Sequence, residues 1–63
     1  MSKKMEPLAV SITEAARLLS VSRPKVYELM ARSDFPSFRL GGKTLIYVDG
    51  LRAWVAKEAG KGQ

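Results

Sequence analysis

Four cations stand at two places marked by proline or glycine: Arg23 and Lys25 on either side of Pro24, and Arg39 and Lys43 on either side of Leu40-Gly41-Gly42. A guanidinium is a planar fork that fits guanine O6 and N7 or a phosphate, whereas an ammonium is a point charge better suited to phosphate. Ser22 adds a hydroxyl just ahead of Arg23, and Tyr27 adds a ring with a polar tip just beyond Lys25 and Val26. Such a set can hold a polyanion. The 63 residues contain no cysteine and no histidine. That removes disulfides, thiolate nucleophiles and Ser-His or Cys-His catalysis, and it leaves metal sites without their usual ligands. The expectation is a non-enzymatic protein with no cofactor and no metal.

Charge points the same way. Eleven Lys and Arg against six Asp and Glu give a net charge of +5 and a pI near 10.0. No apolar run approaches the ~18 residues that would span a bilayer; Arg17, Arg23, Lys25 and Arg32 interrupt every candidate. The opening MSKKMEPL lacks the apolar stretch of a signal peptide. The expected location is therefore cytoplasmic, with no membrane contact, and the first expected partner of so basic a domain is nucleic acid.

The elements that must position these cations follow from apolar spacing. Residues 1–10 read as a disordered N-terminal arm, residues 11–60 as one folded domain and residues 61–63 as a loose tail. Thr13 as a hydroxyl cap, with Glu14 behind it and Ala15, Ala16, Leu18 and Leu19 on one face, predicts helix 1 from Thr13 to about Ser20. Ser20-Val21-Ser22 is then a tight turn with Val21 as its apolar plug. Ser22 caps helix 2, which tolerates Pro24 in its first turn and buries Val26, Leu29 and Met30 at i, i+3 and i+4, to about Arg32. Phe38 and Leu40 alternate with Ser37 and Arg39 before Gly41-Gly42, a hairpin signal. A three-residue loop, Gly41-Gly42-Lys43, would oppose Phe38 to Ile46 and gather Phe38, Leu40, Ile46 and Val48 on one face, leaving Arg39 outward and Lys43 at the tip. Asp49 would cap a last helix that buries Leu51, Trp54 and Val55 and ends at Gly60. The expected core is Leu18, Leu19, Val26, Leu29, Met30, Phe38, Ile46, Leu51, Trp54 and Val55.

Two short helices across a three-residue turn let the second project into a major groove while the first braces it, and a basic hairpin tip beside them suits a wing. An αα-hairpin without a ligand, solvated surface lysines, a structural Tyr27 and an edge ribbon protected by Lys43 are the plainer readings of the same features. Glu28 is awkward on a groove-facing helix and is expected to point aside or to pair with Arg32 one turn on.

From Ile12 onward the sequence resembles the excisionase-family helix-turn-helix domain, related to the MerR type. The matching pieces are Ile12-Thr13-Glu14-Ala15-Ala16 with Leu18-Leu19, Val21-Ser22-Arg23-Pro24-Lys25-Val26-Tyr27, Phe35-Pro36, Arg39-Leu40-Gly41-Gly42-Lys43 and Leu51-Arg52-Ala53-Trp54. The resemblance implies an α+β winged helix-turn-helix with three short helices and a two-stranded hairpin wing. It also implies binding to double-stranded DNA through Ser22, Arg23, Lys25, Tyr27, Arg39 and Lys43. Two departures stand out: Pro24 where the family is often polar, and Gly50 where it is often acidic. The role implied is that of a recombination directionality factor that bends DNA at the attachment sites of a mobile element or prophage, with an integrase or recombinase as partner and cooperative self-association on DNA. A phage-type transcriptional regulator is the alternative, and a protein-interaction adaptor or a cationic membrane binder are more distant ones.

Overall fold

A computed structural model describes residues 7–61. The order is β1 (Ala9–Val10), α1 (Ile12–Leu19), α2 (Arg23–Met30), β2 (Ser37–Leu40), β3 (Lys43–Tyr47) and α3 (Val48–Lys61), with the strands in one antiparallel sheet of order β1-β3-β2. This is the expected small α+β winged helix-turn-helix, with one strand more than the hairpin alone.

Helix α1 begins ahead of the expected Thr13. Ser11 is its cap, and Ser11 Oγ accepts from the Glu14 amide at 3.1 Å. It ends at Ser20, whose φ of 61° is left-handed and rare for a residue with a Cβ. That conformation lets the amides of Ser20 and Val21 donate to Arg17 O (3.1 Å) and Ala16 O (3.0 Å), closing the last turn. The chain then reverses within three residues and α2 starts behind an extended Ser22. Val21 is 37% exposed, so it plugs the turn only in part.

The hairpin closes with two residues, not three. Gly41 (φ 58°) and Gly42 (φ 90°) form the turn, and Leu40 pairs with Lys43, Arg39 with Thr44, Phe38 with Leu45 and Ser37 with Ile46. Two consecutive positive φ values match the right-handed twist of the strands, which a longer loop here would not need. The shift of one residue reverses the faces: Ile46 is fully buried, while Phe38 and Leu40 lie on the other side, 39% and 62% exposed. What Ile46 loses in Phe38 it regains from β1, where Val10 lies opposite it, 7% exposed. The expected arm therefore ends too late, because Ala9–Val10 is a sheet strand. Residues 1–6 of that arm, and residues 62–63 of the expected tail, lie outside the described residues.

Strand β3 runs into α3 without a linker, so Val48 and not a capping Asp49 opens the helix. The junction is held by Tyr47 N–H to Pro36 O (2.8 Å) and Val48 N–H to Leu8 O (3.0 Å). Gly60 lies within α3, which continues to Lys61. The core is Val10, Ala15, Ala16, Val26, Phe35, Ile46, Leu51 and Trp54, with Ile12, Leu19, Leu29, Met30 and Val48 packed on it. Phe35, absent from the expected core, is buried and meets Trp54 edge-on with ring centroids 5.0 Å apart. Leu18 and Val55, expected inside, are 50% and 39% exposed and flank a shallow apolar groove between α1 and α3.

Gly50 has a packing reason. A Cβ built there would lie 2.8 Å from Pro36 Cβ and 3.0 Å from Tyr47 Cδ2, and a proline ring cannot swing aside. Gly50→Ala is expected to lower the urea midpoint by the equivalent of about 1–2 kcal/mol, overpacking outweighing the helix preference of alanine. Gly60→Ala, with nothing within 4 Å, is expected to leave the midpoint unchanged or raised. Chemical denaturation of both variants compares the two.

Candidate nucleic-acid interface

Burial of Val26 fixes the rotation of α2 about its axis. At about 100° per residue, Pro24, Glu28 and Ala31 point away from the core, with Tyr27 beside them and Arg23 and Lys25 on opposite flanks. All six are exposed, Tyr27 by 51%. Lys25 leans toward the groove lined by Leu19, Val21, Leu29, Trp54 and Val55, and its Nζ lies 3.5 Å from Glu28 Oε1. Glu28 therefore neither points aside nor pairs with Arg32. It sits in the middle of the outward face, with its side chain 71% exposed. Counting the helical arc from Val26 would have shown this from the sequence.

The start of α2 is suited to an anion. Ser22 makes no side-chain cap bond, the first turn holds no acidic residue, and Lys25 and Val26 donate back to Ser22 O at 3.1 and 3.3 Å. The Ser22 hydroxyl and the positive end of the helix thus face solvent beside Arg23.

The two-residue turn divides the wing. Arg39 and Thr44 share the face of Ile46, the helix side of the sheet, so Arg39 is not on the outward face that a three-residue loop would have given it. Arg39 Nη2 donates to Gly42 O at 3.4 Å, a bond within the turn that leaves the rest of the guanidinium exposed. Lys43 is the first residue of β3 and lies on the opposite face with Phe38 and Leu40. Arg39 thus faces the helix side and Lys43 the far side.

Ion pairs sort the remaining cations. Arg17 binds Glu14 one turn back on α1, with Arg17 Nε to Glu14 Oε1 at 3.1 Å. Arg32 donates to both oxygens of Glu58 (3.2 and 3.1 Å) and to Asp34 (3.0 Å), while Lys57 meets Asp34 and Lys61 meets Glu58, each at 3.2 Å. Among the described residues, Arg23, Arg39 and Lys43 form no such pair. Hydrogen bonds from Arg17 and Arg32 hold the pKa values of Glu14 and Glu58 below the usual range, and those of the two arginines are raised in return. At Asp34 desolvation opposes the charge, but the hydrogen bond from Lys57, the nearby Trp54 indole N–H and the charge of Arg32 outweigh it. Trp54 Nε1 is buried with no partner at full hydrogen-bond geometry. Among the described residues no group of three or more His, Cys, Asp or Glu is placed to hold a metal ion, and no helix is long and apolar enough to cross a membrane.

These carboxylates give stability a pH signature. Their folded pKa values lie below those of the unfolded chain, so the unfolded chain binds more protons in acid. The contribution is complete above the ordinary carboxylate values of about 4 and is lost as pH falls through the lower folded values. Urea midpoints are expected to be flat from neutral pH to pH of about 5 and to fall below it. Asp34→Asn and Glu58→Gln together are expected to flatten that fall.

Compared with protein families, residues 9–59 of the 63 match the helix-turn-helix domain. No curated protein and no solved structure matches the chain. The match covers β1, both helices of the turn, the hairpin and most of α3. On that match and this architecture, the chain belongs to the helix-turn-helix domain family and is a small DNA-binding domain of regulatory type.

Proposed function

We propose that the domain binds duplex DNA with α2 in the major groove and the β2–β3 hairpin as a wing, and that it serves an excisionase-like role without catalysis. The observation that carries this reading is the sorting of charge: carboxylates occupy the cations of α1 and of the face shared by α3 and the α2–β2 loop, while Arg23, Arg39 and Lys43 stay open. Ser22 and the start of α2 hold a phosphate, Arg23 reaches a base edge or the backbone beside it, and Lys25 and Tyr27 support the backbone from either side of α2. Arg39 approaches from the helix side of the wing, suited to the minor groove, and Lys43 meets phosphate. Glu28, at the centre of the outward face, is an acceptor for a cytosine amino group.

An α2 of eight residues with one wing reads only a few base pairs. A lone module of this size falls short of the ~10⁻⁸ M specific affinity that a genome of competing sites demands. Several copies on adjacent sites, bending the duplex between them and assisting an integrase or recombinase in the cytoplasm, meet that demand.

Mobility shifts over a range of salt test the first part, and circular-permutation gels with footprinting test the second. Neutralising about four phosphates gives a slope of log K against log salt of roughly −3 to −5. A long, multi-copy footprint on bent DNA is expected at the native locus. A single short footprint on straight DNA would replace the excisionase role with that of a phage-type transcriptional regulator, and salt-independent binding would remove the phosphate-dominated interface.

A further inference from the structure

Apolar contact anchors α2 on the α1 side of the core and leaves its α3 side open. Val26 is its one fully buried side chain, Leu29 and Met30 are half-buried, and the groove between α2 and α3 along Leu19, Val21, Leu29, Trp54 and Val55 is open. What joins the far end of α2 to α3 is polar. Arg32, just past that end, places its guanidinium fork on both oxygens of Glu58, adds a bond to Asp34 and stacks 5.4 Å from the centroid of the Trp54 ring. Lys57 holds Asp34 from the α3 side, so the loop leading from α2 to the wing is tied to the same turn of α3.

An isolated surface ion pair contributes little to stability, but a bidentate Arg–carboxylate contact backed by a ring fixes an orientation. We propose that Arg32 and Glu58 are positioning residues: through the Arg32–Glu58–Trp54 node they set the angle of α2 relative to the wing, and with it discrimination among DNA sequences, without touching DNA. The proposal rests on the DNA-binding reading above. Base-edge contacts need α2 in one pose, whereas phosphate contacts through long flexible cations tolerate a looser one.

The test is Glu58→Gln. Simple electrostatics predicts that losing a carboxylate strengthens binding to every DNA. The node predicts a different pattern, read with a duplex selected from a random pool by the wild-type protein and with a scrambled duplex of the same composition. The ratio of the two affinities falls roughly three- to tenfold, binding to the scrambled duplex does not weaken, and the salt slope stays the same. Arg32→Gln gives the same loss of ratio with an unchanged slope. An unchanged ratio in Glu58→Gln, or a slope reduced by about one in Arg32→Gln, the mark of a lost phosphate contact, overturns the proposal. A selection that yields no preferred duplex overturns the DNA reading instead. The node is then still decided by residual dipolar couplings of the free protein. In the wild type, α2 and sheet amides fit one alignment tensor; in Glu58→Gln they require two. A single tensor in both proteins refutes the positioning role.

Discussion

The turn at Gly41-Gly42 decides what the rest of the chain can do. Two residues at positive φ close the hairpin in the shortest way and fix its register, and because side chains alternate, register fixes every face of the sheet. Ile46 is thereby placed on the helix side in the central strand, where Ala15, Ala16, Val26, Leu51 and Trp54 can gather round it. Val10 completes that face from β1. A slip of one residue would set Arg39 and Ile46 on opposite faces: with Ile46 kept against α1 and α3, Phe38 would join it there and Arg39 would turn to the far side of the wing. Core and interface share one geometric origin.

Charge completes what register begins. The domain has an excess of cations, yet three acidic residues, Asp34, Glu58 and Glu14, are placed so that the excess is not spread evenly. They neutralise Arg17, Arg32, Lys57 and Lys61, while among the described residues Arg23, Arg39 and Lys43, at the start of α2 and on the wing, form no such pair. The same pairs tie the α2–β2 loop to α3. Carboxylates that look unhelpful in a DNA-binding protein thus shape its surface charge and tie the end of α2 to α3.

Much of this was legible in the residues, and the failures are connected. The i, i+3, i+4 spacing of Val26, Leu29 and Met30, the Ser22 cap and the three-residue turn gave α2 its start and its buried face. Strand β1 escaped notice because two residues, Ala9 and Val10, carry no periodicity. Without β1, Ile46 has no cross-strand partner on its own face, and a three-residue loop that supplies Phe38 looks favourable; that register turns Arg39 to the face opposite the one it occupies. Leu18 and Val55 fit a helical stripe as well as their buried neighbours do, and spacing alone cannot say that a small domain has too few residues to cover them. Glu28 could have been placed by angle from Val26. The pairing of Arg32 with Glu58, 26 residues apart, has no local signal at all. Gly50 reads in the sequence as a weak helix residue, and only its approach to Pro36 explains it.

In the proposed DNA-binding mode, register and ion pairing leave the start of α2 and the helix side of the wing free to meet DNA. The five arginines provide a direct probe, since each carries one Nε–Hε group that NMR can follow during titration with a duplex. The signals of Arg23 and Arg39 are expected to shift on binding, while those of Arg17 and Arg32, held by Glu14 and Glu58, stay in place. Shifts at Arg17 or Arg32 with Arg23 and Arg39 unmoved would contradict it.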